Sequence, residues 1–79
     1  MFYVYILQSL KDNSYYTGLT TDLEERLIKH SSNSVKYSST KSPFKLIWHC
    51  AFEDKYKAAA FEKYLKSGSG FAFARKRLV

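Results

Sequence analysis

The first thirty residues, MFYVYILQSLKDNSYYTGLTTDLEERLIKH (Met1–His30), decide the fold of this chain. Two aromatic segments, Phe2–Leu7 and Tyr15–Leu19, have the composition of short β-strands, and the turn-forming run Lys-Asp-Asn-Ser at 11–14 separates them. Thr21 and Glu24 match the S/T-x-x-E capping box that begins many helices, so a helix is predicted from about Asp22 to His30. The stretch therefore predicts a β-hairpin that leads into a helix.

This first predicted helix carries polar side chains on its apolar face. Leu23, Leu27 and His30 are spaced three or four residues apart, so they share one face of the helix. Arg26 lies between them on the same face, whereas surface helices normally place such groups on the opposite side. An arginine turned toward the interior requires an anion nearby.

Three further elements are predicted in the second half of the chain. Phe44–Phe52, after Pro43, has the alternating apolar pattern of a third strand. A second helix is predicted over Lys55–Lys66, and a short last helix over Gly70–Leu78. The second helix buries a stripe of Ala58, Phe61 and Leu65 and ends at the cap Ser67-Gly68. Glu62 falls on this stripe, so a second ionisable group faces inward.

The segment Ser31–Ser42 is rich in serine, threonine, asparagine and lysine and is predicted to be a loop. Its phosphate-competent donors are Lys36, Ser38, Ser39, Thr40 and Lys41. Two interpretations stay open, an ordered phosphate-binding loop and an ordinary surface connection.

Composition limits the class of protein. A chain of 79 residues forms one domain at most (1–79), and its 46% hydrophobic content supports a small core. The formal net charge of +6 and the pI near 9.5 suit a polyanionic partner such as nucleic acid. The lone Cys50 is expected to pack as a small apolar residue in a reducing compartment. The amino terminus lacks the pattern of a signal peptide or a membrane span, so the expected location is the cytoplasm, with no membrane association.

Glu62, Arg26, His30 and the inner tyrosines form a constellation suited to phosphodiester hydrolysis if the fold brings them together. A carboxylate holds a hard cation such as Mg²⁺, and the planar arginine fork stabilises charge on phosphate oxygens. A tyrosine acts as a base only when neighbouring charges lower its pKa. Structural alternatives stay open at this point: Arg26 and Glu62 as an ion pair between helices, and the tyrosines as ordinary sheet residues.

The ordered set of residues resembles the GIY-YIG nuclease superfamily. The resemblance is carried by Tyr3-Val4-Tyr5, Tyr16-Thr17-Gly18, Arg26, His30 and Glu62, and it spans nearly the whole chain. Small stand-alone bacterial members are the most similar, together with the amino-terminal catalytic domain of the excinuclease C subunit. The resemblance implies an α+β fold, β-β-α-β-α-α, in which helices flank a three-stranded antiparallel sheet.

The resemblance also implies a role for each matched residue. Tyr5 and Tyr16 would position or activate water, and Gly18 is the motif glycine. Arg26 would stabilise the phosphate, His30 would relay a proton, and Glu62 would bind one Mg²⁺ or Mn²⁺. Leu19 stands where some relatives have a lysine.

The expected function is that of a metal-dependent DNA endonuclease in DNA repair or recombination. In so short a chain, specificity is expected to be low or directed to DNA structure, and delivery by a protein partner is the alternative that stays open. Lys36, Ser39, Thr40 and Lys41 are the expected nucleic-acid-binding residues. Two other functions stay open, a non-catalytic nucleic-acid-binding module on the same scaffold and a structural or partner-binding domain.

Overall fold

A computed structural model describes residues 1–31 and 44–78, with the side chains of 29–31 outside the described part. Its elements, in chain order, are β1 (Phe2–Ser9), β2 (Tyr15–Thr20), α1 (Leu23–Ser31), β3 (Phe44–Phe52), α2 (Lys55–Lys66) and α3 (Gly68–Arg77). The strands form one antiparallel sheet in the order β2-β1-β3. The predicted α+β fold and its element order are therefore confirmed. The predicted loop donors Lys36, Ser39, Thr40 and Lys41, and the His30 side chain, lie outside the described residues.

The hairpin between β1 and β2 extends two residues further along β1 than the sequence predicts. Ser9 is fully buried although it is polar, because the turn satisfies its hydrogen-bonding groups. Its hydroxyl accepts from the amides of Lys11 and Asp12 at 3.1 and 3.3 Å, and its amide donates to the Ser14 carbonyl at 2.8 Å. Asn13 takes the left-handed conformation with φ 63°, which asparagine tolerates better than most residues.

The central strand β1 is covered on both faces. Val4 and Ile6 project toward α2 and α3 and pack with Ala58, Leu65 and Ala74 in the main core. Tyr5 and Leu7 project from the opposite face and are just as deeply buried, at 1% and 0% exposure. The predicted buried stripe of α2 is confirmed, since Phe61 packs against this same core.

Cys50 behaves as the composition predicts. Its side chain packs against the main core, and burial raises the pKa of its thiol. The thiol is therefore protonated at neutral pH and poorly nucleophilic, as expected of a structural cysteine.

Helix α1 begins one residue later than predicted. The Asp22 carboxylate, rather than the Thr21 hydroxyl, accepts the hydrogen bond from a first-turn amide, that of Glu25 at 3.0 Å. Thr20 supports the cap, because its hydroxyl accepts from the Asp22 amide at 3.1 Å. Aspartate is as good a cap as serine or threonine, and its charge also suits the positive end of a helix.

A single serine joins the last two helices. The Ser67 hydroxyl donates to the Tyr64 carbonyl at 2.6 Å and accepts from the Gly70 amide at 3.2 Å, so Ser67 ends α2 and caps α3. α3 therefore begins at Gly68, two residues before its predicted start, and buries Ala74 while leaving its basic last turn in solvent. In the described part of the chain, no helix combines the length and apolar character needed to cross a membrane.

Candidate active site

Tyr5 forms the centre of the candidate site. It lies on the middle strand, directly opposite Gly18 of β2, and only 1% of its surface is exposed. A Cβ atom built at position 18 would overlap the Tyr5 hydroxyl and its ring carbon Cζ and would lie 2.9 Å from Cε1. The tyrosine ring thus lies directly on the backbone of β2, and only glycine leaves room for it.

Tyr16 lies beside Tyr5 on the same face of the sheet. Tyr16 and Gly18 are two positions apart along β2, so their side-chain positions share one face. The rings of the two tyrosines have centroids 6.5 Å apart and planes inclined by 35°, and Phe44 approaches Tyr16 from β3 at 6.4 Å. Tyr16 is only half-buried. The pair therefore combines one buried phenol with one that substrate can reach.

The electrostatic surroundings of Tyr5 connect three elements of the fold. The pKa of Tyr5 is raised to about 12, mainly by burial and also by the neighbouring Tyr16. The Arg26 guanidinium of α1 acts in the opposite direction and lowers this pKa, while the Glu62 carboxylate of α2 raises it. Charges exert such effects only at short range, so Tyr16, Arg26 and Glu62 all lie close to the Tyr5 hydroxyl.

Arg26 reaches this cluster from the inner side of α1. It is half-buried together with Leu23 and Leu27, whereas Glu24 and Ile28 on the other side of the helix are exposed. Tyr3, Leu23 and Leu27 line one hollow, so α1 lies over the face of the sheet from which Tyr3 and Tyr5 project. His30 follows Arg26 by one turn in the backbone of α1.

Glu62 makes an ion pair within its own helix. Its Oε2 lies 3.2 Å from the Lys66 Nζ one turn later, and its side chain keeps 23% exposure. Among residues 1–31 and 44–78, the ion-pair partner of Glu62 is Lys66. The ion pair between Glu62 and Arg26, which the sequence left open, is therefore not formed. The carboxylate is fixed near Tyr5 yet remains accessible to a cation from solvent.

The donor set fits a cation held by one carboxylate and the substrate. Within the described ranges there is no group of three or more His, Cys, Asp or Glu side chains that would enclose a metal ion. Mg²⁺ keeps several of its waters and commonly binds through one or two carboxylates plus substrate phosphates. Glu62, partly exposed, is suited to that mode of binding and not to a closed protein cage.

Sequence reasoning missed two residues near the site. Lys66 follows Glu62 by four positions, and this helical spacing is a signal from which their ion pair is predictable. His49 pairs with Tyr5 across β1 and β3, so it occupies the same face of the sheet, and it is exposed. Strand register is not visible in the sequence, so the position of His49 opposite Tyr5 was not predictable.

Comparison with known proteins agrees with this geometry. The family model described as the GIY-YIG catalytic domain matches residues 1–76. The UPF0213 protein BH0048 of Halalkalibacterium halodurans is 45% identical over 65 residues, which are 81% of this chain and 68% of that protein. The UPF0213 protein CPE1444 of Clostridium perfringens is 43% identical over 67 residues, 84% of this chain and 71% of that protein.

A solved structure extends the similarity to three dimensions. The solution NMR structure of the UPF0213 protein BH0048 from Bacillus halodurans superposes with a TM-score of 0.59 and 37% identity. The superposition covers 99% of this chain and 87% of that one. The resemblance carried by Tyr5, Tyr16, Gly18, Arg26 and Glu62 is thereby confirmed, and the chain belongs to the GIY-YIG catalytic domain family.

Proposed function

We propose that this chain is a divalent-metal-dependent DNA endonuclease that hydrolyses phosphodiester bonds. The observation that carries the proposal is that Tyr16, Arg26 and Glu62, from three different elements, lie close enough to Tyr5 to shift its pKa. Together they supply a candidate base, a cation for the phosphate and an accessible carboxylate for a metal ion, which are groups that can catalyse phosphodiester hydrolysis. The net charge of +6 suits a DNA substrate.

The two tyrosines divide the acid–base work in this proposal. Tyr5, with a pKa of about 12, stays protonated, and its hydroxyl donates a hydrogen bond to a substrate oxygen or to the Tyr16 oxygen. Tyr16 is more exposed and acts as general base, because its phenolic proton passes to His30, one turn beyond Arg26, as its oxygen takes the proton of the attacking water. His30 then releases a proton to solvent.

Arg26 and Glu62 act on the phosphate. The Arg26 guanidinium stabilises the negative charge that grows on the phosphate oxygens in the transition state. Glu62 binds Mg²⁺ or Mn²⁺, and a bound divalent cation would polarise the phosphate and stabilise the departing oxygen. Gly18 keeps Tyr5 in place by allowing its ring onto the β2 backbone.

The substrate is proposed to be DNA of unusual structure, and the process DNA repair or recombination. Within residues 1–79, the sheet and the site account for most of the side chains. We therefore expect the domain to recognise the shape of the DNA backbone and not the base sequence. The phosphate-competent residues Lys36, Ser39, Thr40 and Lys41 are proposed to contact the DNA backbone. A protein partner in the cytoplasm is proposed to deliver the domain to its target.

A cleavage assay tests the proposal. Wild type, Arg26→Ala and the control Arg77→Ala are incubated with single-stranded, nicked, flapped and branched DNAs, with Mg²⁺, Mn²⁺ or EDTA. Arg77 is an exposed arginine of α3, so its substitution controls for loss of positive charge. Metal-dependent cutting that Arg26→Ala loses and Arg77→Ala keeps supports the enzyme. Salt-sensitive binding without cutting by wild type would instead identify a non-catalytic nucleic-acid-binding module.

A further inference from the structure

A groove with exposed aromatic walls adjoins the candidate site. One wall is β2, through Tyr15, Tyr16 and Thr17, and the other is the junction of α2 and α3, through Lys66, Ser67 and Phe71. Lys66, which lines this groove, pairs with Glu62 of the candidate site at 3.2 Å. The groove therefore adjoins the carboxylate of the site where cleavage is proposed.

The aromatic side chains of this groove remain open to solvent. Tyr15 is 37% exposed and Phe71 45% exposed, although the two rings contact each other edge to face with centroids 6.3 Å apart. A contiguous aromatic surface that stays this accessible is a candidate ligand-binding surface when it lines a groove beside a functional site. Its flat surfaces are suited to another planar ring.

Positive charge accompanies the aromatic surface. The Arg75 guanidinium lies over the Phe71 ring, 5.8 Å from its centroid, and the Lys66 Nζ is at the opposite end of the groove, beside Glu62. Both cations are exposed. Aromatic rings interleaved with cations are the features by which proteins bind single-stranded nucleic acid, the rings stacking on bases and the cations meeting phosphates.

We propose that this groove binds an unpaired nucleotide of the DNA substrate next to the scissile phosphate, with its base stacked on the Phe71 ring and bordered by Tyr15, whose ring plane is inclined by 67° to that of Phe71. Arg75 and Lys66 then contact the flanking phosphates. A base within a duplex has both faces covered by its neighbours and cannot stack in this way, so the groove selects DNA with an unpaired nucleotide adjoining the cut. The inference rests on the proposed nuclease function and specifies its substrate.

Binding without metal tests the inference independently of cleavage. The probes are a fluorescein-labelled oligothymidylate and a blunt duplex of equal length, each titrated in EDTA at one fixed ionic strength with wild type, Phe71→Ala and Tyr56→Ala. Tyr56 is 83% exposed on the far part of α2 and serves as the matched aromatic control. Phe71→Ala should weaken binding of the single strand about 10-fold and leave the duplex nearly unchanged.

A second variant guards against a folding defect. Phe71→Trp keeps an aromatic surface, so it should bind the oligothymidylate at least as tightly as wild type and its fluorescence should be quenched on binding. Equal effects of Phe71→Ala on single strand and duplex, or no effect on either, would overturn the inference even if cleavage occurs. Selective loss of single-strand binding without any cleavage would leave the groove assigned and the nuclease proposal wrong.

Discussion

The Tyr5 ring lies against the backbone of Gly18 on the neighbouring strand, at a distance that no side chain at position 18 would permit. Gly18→Ala should therefore displace Tyr5 and lower the free energy of unfolding by about 1–3 kcal/mol. The cleavage rate should also fall in protein that remains folded, because the Tyr5 hydroxyl is displaced from the site. Urea unfolding and a cleavage assay on the same samples measure both effects.

The matched control for this substitution is Gly68→Ala. Nothing lies within 4 Å of a Cβ built at Gly68, which is the first residue of α3. Gly68→Ala should be neutral or stabilise the protein by up to about 1 kcal/mol, because alanine restricts the unfolded chain more than glycine does. If Gly18→Ala proved as harmless as Gly68→Ala, Tyr5 would not depend on the glycine.

The raised pKa of Tyr5 predicts how stability changes in alkaline solution. The folded state holds the phenol protonated up to about pH 12, whereas the unfolded chain releases the proton near its ordinary value of 10.0. This contribution is fully present below pH 10 and is lost as pH rises toward 12, with a decline of about 2–3 kcal/mol.

Urea unfolding of wild type and Tyr5→Phe at pH 9 and at about pH 11.5 isolates this effect, because every other titrating group is common to both proteins. The stability of wild type relative to Tyr5→Phe should fall between the two values of pH. A constant difference would mean that the Tyr5 hydroxyl ionises as readily in the folded protein as in the unfolded chain.

Tyr16 is predicted to be the general base, because it is the more exposed phenol of the pair. Tyr16→Phe should lower the cleavage rate by about 10²–10⁴-fold, the usual contribution of a positioned base, with little effect on DNA binding. Tyr56→Phe is the control, since it removes the hydroxyl of an exposed tyrosine on α2 that lies outside both the Tyr5 cluster and the groove. Full cleavage activity of Tyr16→Phe would show that another group is the general base.

Much of the fold follows from local sequence. The limits of β3 and α2 match the predictions residue for residue, because Pro43 precedes the strand and Asp54 and Ser67 cap the helix. The extension of β1 to Ser9 was not predictable from residue type, because the burial of this polar residue depends on the hydrogen bonds of the turn that follows it. The cap at Asp22 instead of Thr21 reflects a choice between two adjacent good caps, which the pattern alone does not decide.

The sequence predicts which side chains of the candidate site lie on the inner faces of their helices, but it does not predict the distances between them. Helical spacing places Arg26 and Glu62 on the inner sides of their helices, and the structure brings both close to Tyr5. The near-complete burial of Tyr5, and hence its pKa, follows from its pairing with Gly18, which is a matter of strand register. The ion pair of Glu62 with Lys66 follows from their spacing of four residues on α2, which is a local signal available in the sequence.

Lys66 is predicted to compete with the metal ion for Glu62. Its ammonium lies 3.2 Å from the carboxylate, where it repels a second cation, but its own side chain is 53% exposed and the pair is correspondingly weak. Lys66→Gln should lower the Mg²⁺ concentration that gives half-maximal cleavage by up to about fivefold.

The same substitution should weaken DNA binding in EDTA, because Lys66 also lines the groove beside the site. Lys63→Gln, on the same helix but absent from both the ion pair and the groove lining, is the control. An unchanged or increased requirement for Mg²⁺ in Lys66→Gln would show that the metal does not bind at Glu62.

The most direct test of the proposed enzyme compares Glu62→Gln with Glu53→Gln for Mg²⁺-dependent cleavage of the best DNA substrate. Both variants remove one carboxylate charge, but Glu53 is exposed and lies outside the Tyr5 cluster. We expect Glu62→Gln to abolish cleavage while DNA binding persists, and Glu53→Gln to cut at the wild-type rate. Cleavage by Glu62→Gln at the rate of Glu53→Gln would contradict the proposed metal-binding role of Glu62.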